Sequence, residues 1–379
     1  MRIAFAMINC NRRDGSARAV NEVAEILAGR GHEVHLYARK VEDLDLDAVR
    51  WHPVPGPGWP EVADFWSYHV AANRLLARHS YDIVHSIGCN TLRADVVTIQ
   101  NIQPVKMRVL KEVGASEKIS LPRRFTRWLY LKATCRAERI LYTERPGRRP
   151  PVFLPVSRGV ESELRSTYRI GNAAVRIVPN AADTRVFHPI SPEERSAWLI
   201  ANGLPPGGPV AIFSGGEWGR KGLEQAILAM AAIPNGWLFV AGDDPDRARF
   251  RKVAEDSGAA SRVVFGGFRS DIATALASCD VFLFPSRYEA FSLATIEAAA
   301  CGLPILATRI NGTEDFIQPG RNGDFITGAP ADIAVRLGAL FNDPGARKHM
   351  GRTARGIVER EYTWDRVATL TEEAYQLAL

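Results

Sequence analysis

Short apolar segments alternate with longer amphipathic segments along the whole chain. In the first half, the apolar segments cover residues 3–8, 33–37, 82–85, 95–99 and 176–178. The second half repeats them at residues 210–213, 237–241, 262–265, 281–284 and 304–307. Short apolar strands separated by helices are typical of a parallel sheet that is covered on both faces. The pattern therefore predicts an α/β fold of two doubly wound, Rossmann-like domains in tandem.

A change in composition marks the boundary between the two predicted domains. Ser191-Pro192 and the Pro/Gly-rich residues 204–209 interrupt the alternation, and such residues punctuate chains between domains. At about 150 residues per domain, 379 residues also favour two domains. We expect an N-terminal domain at 1–190 and a second domain at 191–360, facing each other across a cleft at their strand carboxyl ends.

Composition narrows the class of protein. No apolar run approaches the ~20 residues of a membrane span, and the first eight residues resemble a strand more than a signal peptide. The five cysteines show no C-x-x-C pair, which argues against disulfides and against a zinc site. We therefore expect a cytoplasmic protein without a metal or a cofactor, either free or peripheral on the inner face of the cytoplasmic membrane.

Two glutamates eight residues apart are the most informative local feature. Glu289 follows the apolar run 281–285, and Glu297 lies in the apolar segment 294–302, which predicts a short helix ending at Gly302. That helix should begin near Phe291-Ser292, where free N–H groups suit a phosphate. A carboxylate within the helix can accept hydrogen bonds from a sugar diol. The pattern suits a nucleotide sugar, although two solvated glutamates would give the same spacing.

A glycine-rich loop with two cations follows the first strand of the second domain. Gly215 and Gly216 allow a close backbone approach to a ligand. Arg220 and Lys221 are expected to begin the next helix, where two cations are unfavourable and suggest a nearby anion. The segment is either a diphosphate site or a solvated basic turn.

The first domain offers weaker candidates. Gly15-Ser16 could open a helix toward phosphates or form a plain helix cap, and no complete G-x-G-x-x-G is present. Gln100 and Asn101 end a strand and either bind sugar hydroxyls or bond their own backbone. His85 follows a strand and is either a base or, more in keeping with a lone histidine, structural.

Residues 104–150 concentrate the positive charge of the chain. They contain thirteen Lys and Arg against four Glu, whereas the whole chain carries a net charge of +6. Residues 121–131 interleave the cations with aromatic and aliphatic side chains, a composition that suits an anionic membrane surface. Nucleic-acid binding and a core helix with snorkelling cations are the alternatives.

The ordered motifs resemble the retaining GT-B glycosyltransferases of family 4 over nearly the whole chain. They comprise Gly15, 156–157, 178–183, 187–189, 220–222, 241–245, 264–267, 284–286, the two glutamates, 312–314 and 362–364. The combination Arg220-Lys221-Gly222 is similar to that of lipopolysaccharide core transferases, which also have a basic membrane-contacting segment. The resemblance implies that a final helix, residues 361–379, returns to the first domain.

The resemblance also implies roles for individual residues. Arg220 and Lys221 would hold the diphosphate, Glu289 a hydroxyl of the transferred sugar, and Glu297 the ribose. The remaining donor contacts would come from Gly15, Gly216, Phe291, Ser292 and Leu293, with the base near Phe268 and Arg269. Gln100 stands where the family usually has a histidine, so Gln100 and Asn101 would position the acceptor without taking a proton.

The expected function is therefore retaining transfer of a hexose from a nucleoside-diphosphate sugar, UDP-linked, to a lipid-anchored or envelope glycan. The partners would be the nucleotide sugar, the glycan acceptor and an anionic membrane, and no nucleic acid. The alternative is a non-catalytic nucleotide-sugar-binding or membrane scaffold protein with a degenerate site.

Overall fold

The computed structural model describes residues 1–12, 15–112, 121–144, 146–147 and 149–379. The side chains of Leu110 and of residues 121–124 are outside this description. Several cations of the basic segment therefore lie outside the described residues: Lys118, Arg145, Arg148 and the side chains of Arg123 and Arg124. The chain forms two compact units, which we call unit 1 (Met1–Asn180 with Trp364–Leu379) and unit 2 (Ala181–Thr363).

Unit 1 contains a six-stranded parallel sheet. Its strands and a small pair beside it are β1 (Arg2–Ala6), β2 (Asn9–Cys10), β3 (Glu33–Ala38), β4 (Lys40–Val41), β5 (Arg50–Pro53), β6 (Ile83–Ile87), β7 (Val96–Ile99) and β8 (Val152–Pro155). The helices are α1 (Gly15–Gly29), α2 (Glu61–Leu76), α3 (Gln103–Glu112), α4 (Leu121–Tyr142) and α5 (Arg158–Thr167). The strand order β5-β3-β1-β6-β7-β8 is that of a doubly wound fold.

Unit 2 has the same architecture. Its strands are β9 (Val210–Ser214), β10 (Trp237–Ala241), β11 (Val263–Gly267), β12 (Val281–Phe284), β13 (Ile305–Thr308) and β14 (Gly323–Ile326). Its helices are α6 (Pro192–Ala201), α7 (Trp218–Lys221), α8 (Leu223–Met230), α9 (Arg247–Asp256), α10 (Ile272–Ser278), α11 (Leu293–Ala300), α12 (Thr313–Phe316), α13 (Pro330–Asn342) and α14 (Pro344–Glu361), with a 3₁₀ turn at Ala260–Arg262. The order β11-β10-β9-β12-β13-β14 is again parallel throughout, so the predicted fold class is confirmed.

The last helix, α15 (Trp364–Gln376), belongs to unit 1. The Arg30 guanidinium, just after α1, pairs with Glu372 and, at 2.7 Å, with Asp365. Tyr375 is fully buried and its hydroxyl lies 2.8 Å from His85 Nδ1. The buried face of α15 therefore forms part of the core of the unit that begins at Met1.

The observed boundaries differ from the predicted ones at 190/191 and 360/361. Unit 1 stops at Asn180 because the following segment packs within unit 2: Ala182 N donates to Tyr362 O at 3.1 Å, and Arg355 Nη1 donates to Phe187 O. The Pro/Gly-rich residues that suggested the boundary lie instead around α6.

One predicted strand, at 176–178, is wrong in detail. Val175 forms only an isolated bridge with Phe153. The chain then runs extended beside β8, with Val178 N donating to Pro155 O at 3.0 Å. Pro155 has no N–H to donate in return, so a regular ladder cannot continue there.

Candidate active site

The loop after β9 places two cations at the carboxyl edge of the unit 2 sheet. Gly215 and Gly222 have φ values of 123° and 78°, in the region that favours glycine. A Cβ on Gly222 would lie 2.2 Å from Pro285 O, and one on Gly215 would lie 2.4 Å from Lys221 Nζ. The glycines therefore let the Lys221 side chain cross the loop and bring α8 against the end of β12.

The predicted position of Arg220 and Lys221 at a helix start is wrong. They occupy the last turn of α7, a four-residue helix, and Gly222 in the left-handed conformation separates α7 from α8. The helix starts earlier because Glu217 adopts a left-handed conformation and Trp218 N is capped by Asp244 Oδ2 at 2.9 Å. Cations in a last turn are favourable for the helix dipole, so the helix itself gives no reason to expect an anion.

Arg220 links this loop to the first glutamate of the spaced pair. Its Nη1 donates to Glu289 Oε1 at 2.8 Å and to the Tyr288 carbonyl. Its Nε donates to Glu217 Oε2 at 2.6 Å. Lys221 Nζ lies 3.9 Å from Glu289 Oε1. The structure therefore brings together the three residues that the sequence singled out for chemistry.

Burial and charge hold this cluster in place. The side chains of Arg220 and Glu289 are 13% and 15% exposed, whereas that of Glu217 is 62% exposed. Burial alone lowers the pKa of Arg220, but the attraction and hydrogen bonds of the two carboxylates outweigh it, so its pKa lies above the ordinary value. Arg220 is thus a permanent cation with one enclosed and one exposed carboxylate partner.

The second glutamate lies in α11, as its apolar surroundings predicted. α11 runs from Leu293 to Ala300, and Ser292 is its N-cap, accepting from Thr295 N at 3.2 Å. Phe291, Ser292 and Glu297 are buried. The N-terminal turn of the helix, whose first N–H groups lack helical acceptors, follows directly on the loop that carries Glu289.

The predicted base site follows β11. Phe268 is 83% exposed. Arg269 makes two hydrogen bonds to Asp271, at 2.7 and 2.6 Å, and lies over the Trp198 ring at 5.7 Å. Because its guanidinium is already bound, the backbone and the exposed ring of Phe268 are the parts of this segment open to a ligand.

Gly216 lies where the ends of β9 and β10 approach each other. A Cβ on Gly216 would be 3.3 Å from Asp243 O, and one on Gly242 would be 2.4 Å from Gly215 O. The two loops pack backbone against backbone. A ligand at this edge can therefore approach the main chain of both loops.

The first-domain candidates lie at the carboxyl edge of the unit 1 sheet. Gln100 and Asn180 exchange two amide hydrogen bonds of 3.2 Å. Asn101 Oδ1 is buried and has no hydrogen-bond partner among the described residues. Gly15 is the first residue of α1, and residues 13–14 before it lie outside the described residues. Gln100 is therefore held by the side chain of Asn180, and the sequence did not predict this contact.

His85 has the structural role that was the alternative to a base. It is buried, and its ring nitrogens lie 2.8 Å from the hydroxyls of Tyr375 and Thr98. Burial lowers its pKa to about 3. A histidine that is neutral and bonded at both nitrogens is not placed to exchange protons with a substrate.

Two family descriptions together span most of the chain. "Glycosyltransferase Family 4" matches residues 13–186 and "Glycosyl transferases group 1" matches residues 194–356. This chain belongs to the GT-B glycosyltransferases of the family 4 and group 1 type. The parallel sheets and tandem units described above agree with this assignment.

Individual relatives extend the comparison. Lipopolysaccharide glucosyltransferase WaaG of Escherichia coli K12 is 26% identical over 333 residues, covering 86% of this chain and 85% of that protein. The crystal structure of a WaaG glycosyltransferase of lipopolysaccharide biosynthesis matches with a TM-score of 0.79 at 23% identity, covering 99% of both chains. Anabaena HepE, solved with UDP and glucose, matches with a TM-score of 0.72 at 18% identity over the full length of both chains. The matches to these two solved structures show a common fold.

Two functional features of the cluster escaped the sequence interpretation. Glu217 provides the exposed partner of Arg220, and the Tyr288 carbonyl provides a further acceptor. Glu217 lies three residues before Arg220, a spacing that brings side chains together on a helix. The spacing could have indicated the contact between Glu217 and Arg220. The sequence interpretation missed it because it placed the start of the helix at Arg220, after Glu217.

Proposed function

We propose that this glycosyltransferase moves a hexose from a UDP-linked sugar to a lipid-anchored or envelope glycan, with retention of configuration. The observation that carries the proposal is the Glu289 carboxylate, bound by Arg220 at 2.8 Å with Lys221 at 3.9 Å. A sugar hydroxyl can donate to Glu289 while the adjoining cations attract a diphosphate. The WaaG relative is named a lipopolysaccharide glucosyltransferase and HepE binds UDP and glucose, which supports the donor and acceptor classes.

In the proposed reaction, the bond between the sugar C1 and the phosphate oxygen breaks as the acceptor oxygen bonds to C1 on the same face. The acceptor proton passes to the departing phosphate oxygen. Arg220, Lys221 and the N-terminal turn of α11 would stabilise the developing diphosphate charge, without a metal or a cofactor. Glu297 would accept hydrogen bonds from the ribose, and the segment at Phe268 and Arg269 would receive the base.

Further contacts complete the proposed assignment. Gly216, Phe291, Ser292 and Leu293 would offer main-chain groups to the sugar and phosphates. In unit 1, Gly15, at the start of α1, would offer its amide to a donor phosphate. Gln100 and Asn101 would position the acceptor.

Glu289→Gln tests the proposal most directly. It preserves shape and removes the charge that orients the sugar hydroxyl, so transfer and slow hydrolysis of UDP-glucose should fall at least a hundredfold. Glu255→Gln, at an exposed position of α9, is the matched control and should retain wild-type rates. Wild-type turnover in Glu289→Gln would refute the assignment of this residue.

Two measurements on the wild-type protein address the remaining parts of the proposal. The NMR spectrum of the freshly formed product reports whether the anomeric configuration is retained. If UDP-glucose binds without any hydrolysis or transfer, the non-catalytic sugar-nucleotide-binding alternative is correct instead.

We also propose that the basic segment binds an anionic membrane surface. Phe125 and Trp128 of α4 are exposed and stacked at 6.1 Å, and Lys132 lies 5.8 Å from the Trp128 ring. The following turns of α4 are buried, including Ala133 and Ala137, so one helix combines an interior half with an exposed aromatic and basic half. Among the described helices, none has the length and apolar character required to cross a bilayer.

Vesicle co-sedimentation tests this surface. Phe125→Ser combined with Trp128→Ser should reduce binding to phosphatidylglycerol vesicles several-fold, whereas Val335→Ser, at an exposed site of unit 2, should not. Unchanged binding, or salt-sensitive retention of DNA with no vesicle binding, would contradict the membrane proposal.

A further inference from the structure

A cleft lies at the carboxyl ends of β1, β3 and β5, within unit 1. It has a volume of about 660 Å³, and its walls come from the segments 9–11, 39–42 and 53–58, without Val41 and Pro57, and from Asp64. All but Asp64 are segments that follow a strand of the parallel sheet, and this is the edge at which doubly wound sheets bind ligands. Neither the spaced glutamates nor Gln100 takes part in it.

One wall of this cleft is a loop that is held by contacts with Asp64 and Arg39. Asp64, in the first turn of α2, accepts from Gly58 N at 2.7 Å and pairs with Arg39 Nη1 at 3.0 Å. Arg39 Nη2 donates to Ser67 Oγ at 2.8 Å. A Cβ on Gly56 would lie 1.1 Å from Arg39 Nη1. The loop therefore rests directly on the guanidinium.

The loop leads to an aromatic side chain that faces water. Trp59 directly follows Gly58 and is 66% exposed. A tryptophan carries a large apolar surface whose face attracts the positive edges of C–H groups. Because the preceding residue, Gly58, lines the cleft, such a ring can serve as a platform for the apolar face of a pyranose.

The charges of the cleft favour a neutral ligand. Arg39 is neutralised by Asp64, and the exposed Lys40 and Glu42 balance each other. The Arg39 side chain is only 8% exposed, so it forms part of the wall and offers little charge to a ligand. The hydroxyls of an uncharged sugar can bond to the polar groups of the lining, whereas a phosphate would find no net positive charge.

We propose that this site, the Trp59 cleft (residues 9–11, 39–42, 53–59 and Asp64), binds a neutral sugar unit of the acceptor, stacked on Trp59. The inference rests on the proposed function and names an acceptor subsite in unit 1. Trp59 follows β5, and the strands β5 and β7 are separated by β3, β1 and β6, four spacings or about 19 Å. An acceptor that reaches both Trp59 and Gln100 is therefore an oligosaccharide and not a single sugar.

Binding of oligosaccharides to Trp59 variants tests the proposal. The probes are maltotriose and delipidated lipopolysaccharide core oligosaccharide, titrated by calorimetry and observed by saturation-transfer NMR. Trp59→Ala should weaken binding of the probe for which the wild type has the higher affinity about tenfold, equivalent to about 1.4 kcal/mol. Trp59→Phe should recover most of that affinity. Val70→Ala, at an exposed apolar position of α2 outside the cleft, is the control and should bind as the wild type does.

Separate outcomes distinguish the two proposals. Equal affinity of wild type and Trp59→Ala, or no binding of either probe to the wild type, would refute the subsite. Loss of binding to phosphatidylglycerol vesicles in Trp59→Ala, with oligosaccharide affinity intact, would also overturn it and assign Trp59 to a membrane surface. If UDP-glucose neither binds nor reacts while oligosaccharide binding depends on Trp59, the donor assignment fails and the subsite stands.

Discussion

The buried Glu138 should make unit 1 less stable as the pH rises from about 4.5 to about 7. Glu138 lies on α4, accepts from Tyr168 Oη at 2.8 Å, and accepts from Gln103 N, at the start of α3, at 3.2 and 3.3 Å. Burial raises its pKa from 4.5 to about 7, although the hydrogen bonds from Tyr168 and Gln103 oppose the rise. The folded protein therefore holds the proton more tightly than the unfolded chain does.

The sign and size of the effect follow from linkage. Because the folded state binds more protons between pH 4.5 and 7, the free energy of unfolding falls as the pH rises through that range. Each pH unit contributes about 1.4 kcal/mol, so the full loss is about 3 kcal/mol and is complete above pH 7. Glu138→Gln, which resembles the protonated acid, should remove this loss and be more stable than the wild type at pH 8.

Amide hydrogen exchange followed by mass spectrometry can isolate the effect in α3 and α4, which avoids treating two units as a single transition. The difference in protection between wild type and Glu138→Gln should change by about 2.5 kcal/mol from pH 5 to pH 8. Tyr168→Phe, which removes a hydrogen bond to the ionised form, should move the wild-type transition to higher pH. Parallel profiles for wild type and Glu138→Gln would refute the reasoning.

Three further perturbations have expected outcomes. Glu217→Gln should tighten UDP binding up to about fivefold in calorimetry, since an exposed ion pair worth up to ~1 kcal/mol no longer competes for Arg220; weaker binding would contradict this. Gly215→Ala should displace the Lys221 side chain and lower kcat/KM for donor hydrolysis at least tenfold, and an unchanged rate would show that Lys221 can move aside. Tyr375→Phe should destabilise unit 1 by about 1–3 kcal/mol in hydrogen exchange, because buried His85 loses a partner, and unaltered protection would refute that role.

The apolar pattern was sufficient to predict most strands of the parallel sheets, but it missed three of the four edge strands, β5, β8 and β14. β5 lies at an edge and its sequence, Arg50–Pro53, is polar, so no apolar run marks it. β14, at the edge of the other sheet, includes Gly323 and Asp324. Polar residues are common on edge strands, which is why periodicity does not identify β5 and β14. The third missed strand, β8, is apolar and buried, and the pattern assigned no strand to it.

The residues of the candidate site could be predicted where a charged residue stands in an informative local sequence. Glu289, Arg220 and Lys221 could be chosen because charged groups beside glycines and apolar strands are conspicuous. The ion pair between Arg220 and Glu289 could not be derived, because the two residues are far apart in sequence and meet only when β9 and β12 pair. The left-handed backbone at Glu217, which sets where α7 starts, also has no signal in residue type, since glutamate seldom adopts it.

The placement of α15 in unit 1 has a consequence for synthesis on the ribosome. Unit 2 is translated between the two parts of unit 1, so all its residues exist before Trp364–Leu379 are made. At ~5–20 residues per second, the first 180 residues wait about 10–40 s for the helix that supplies Tyr375 to His85. Unit 2 can therefore complete its fold before unit 1. During that interval, the part of the unit 1 core that α15 covers is exposed on the nascent chain. Such an exposed apolar surface is one that chaperones bind.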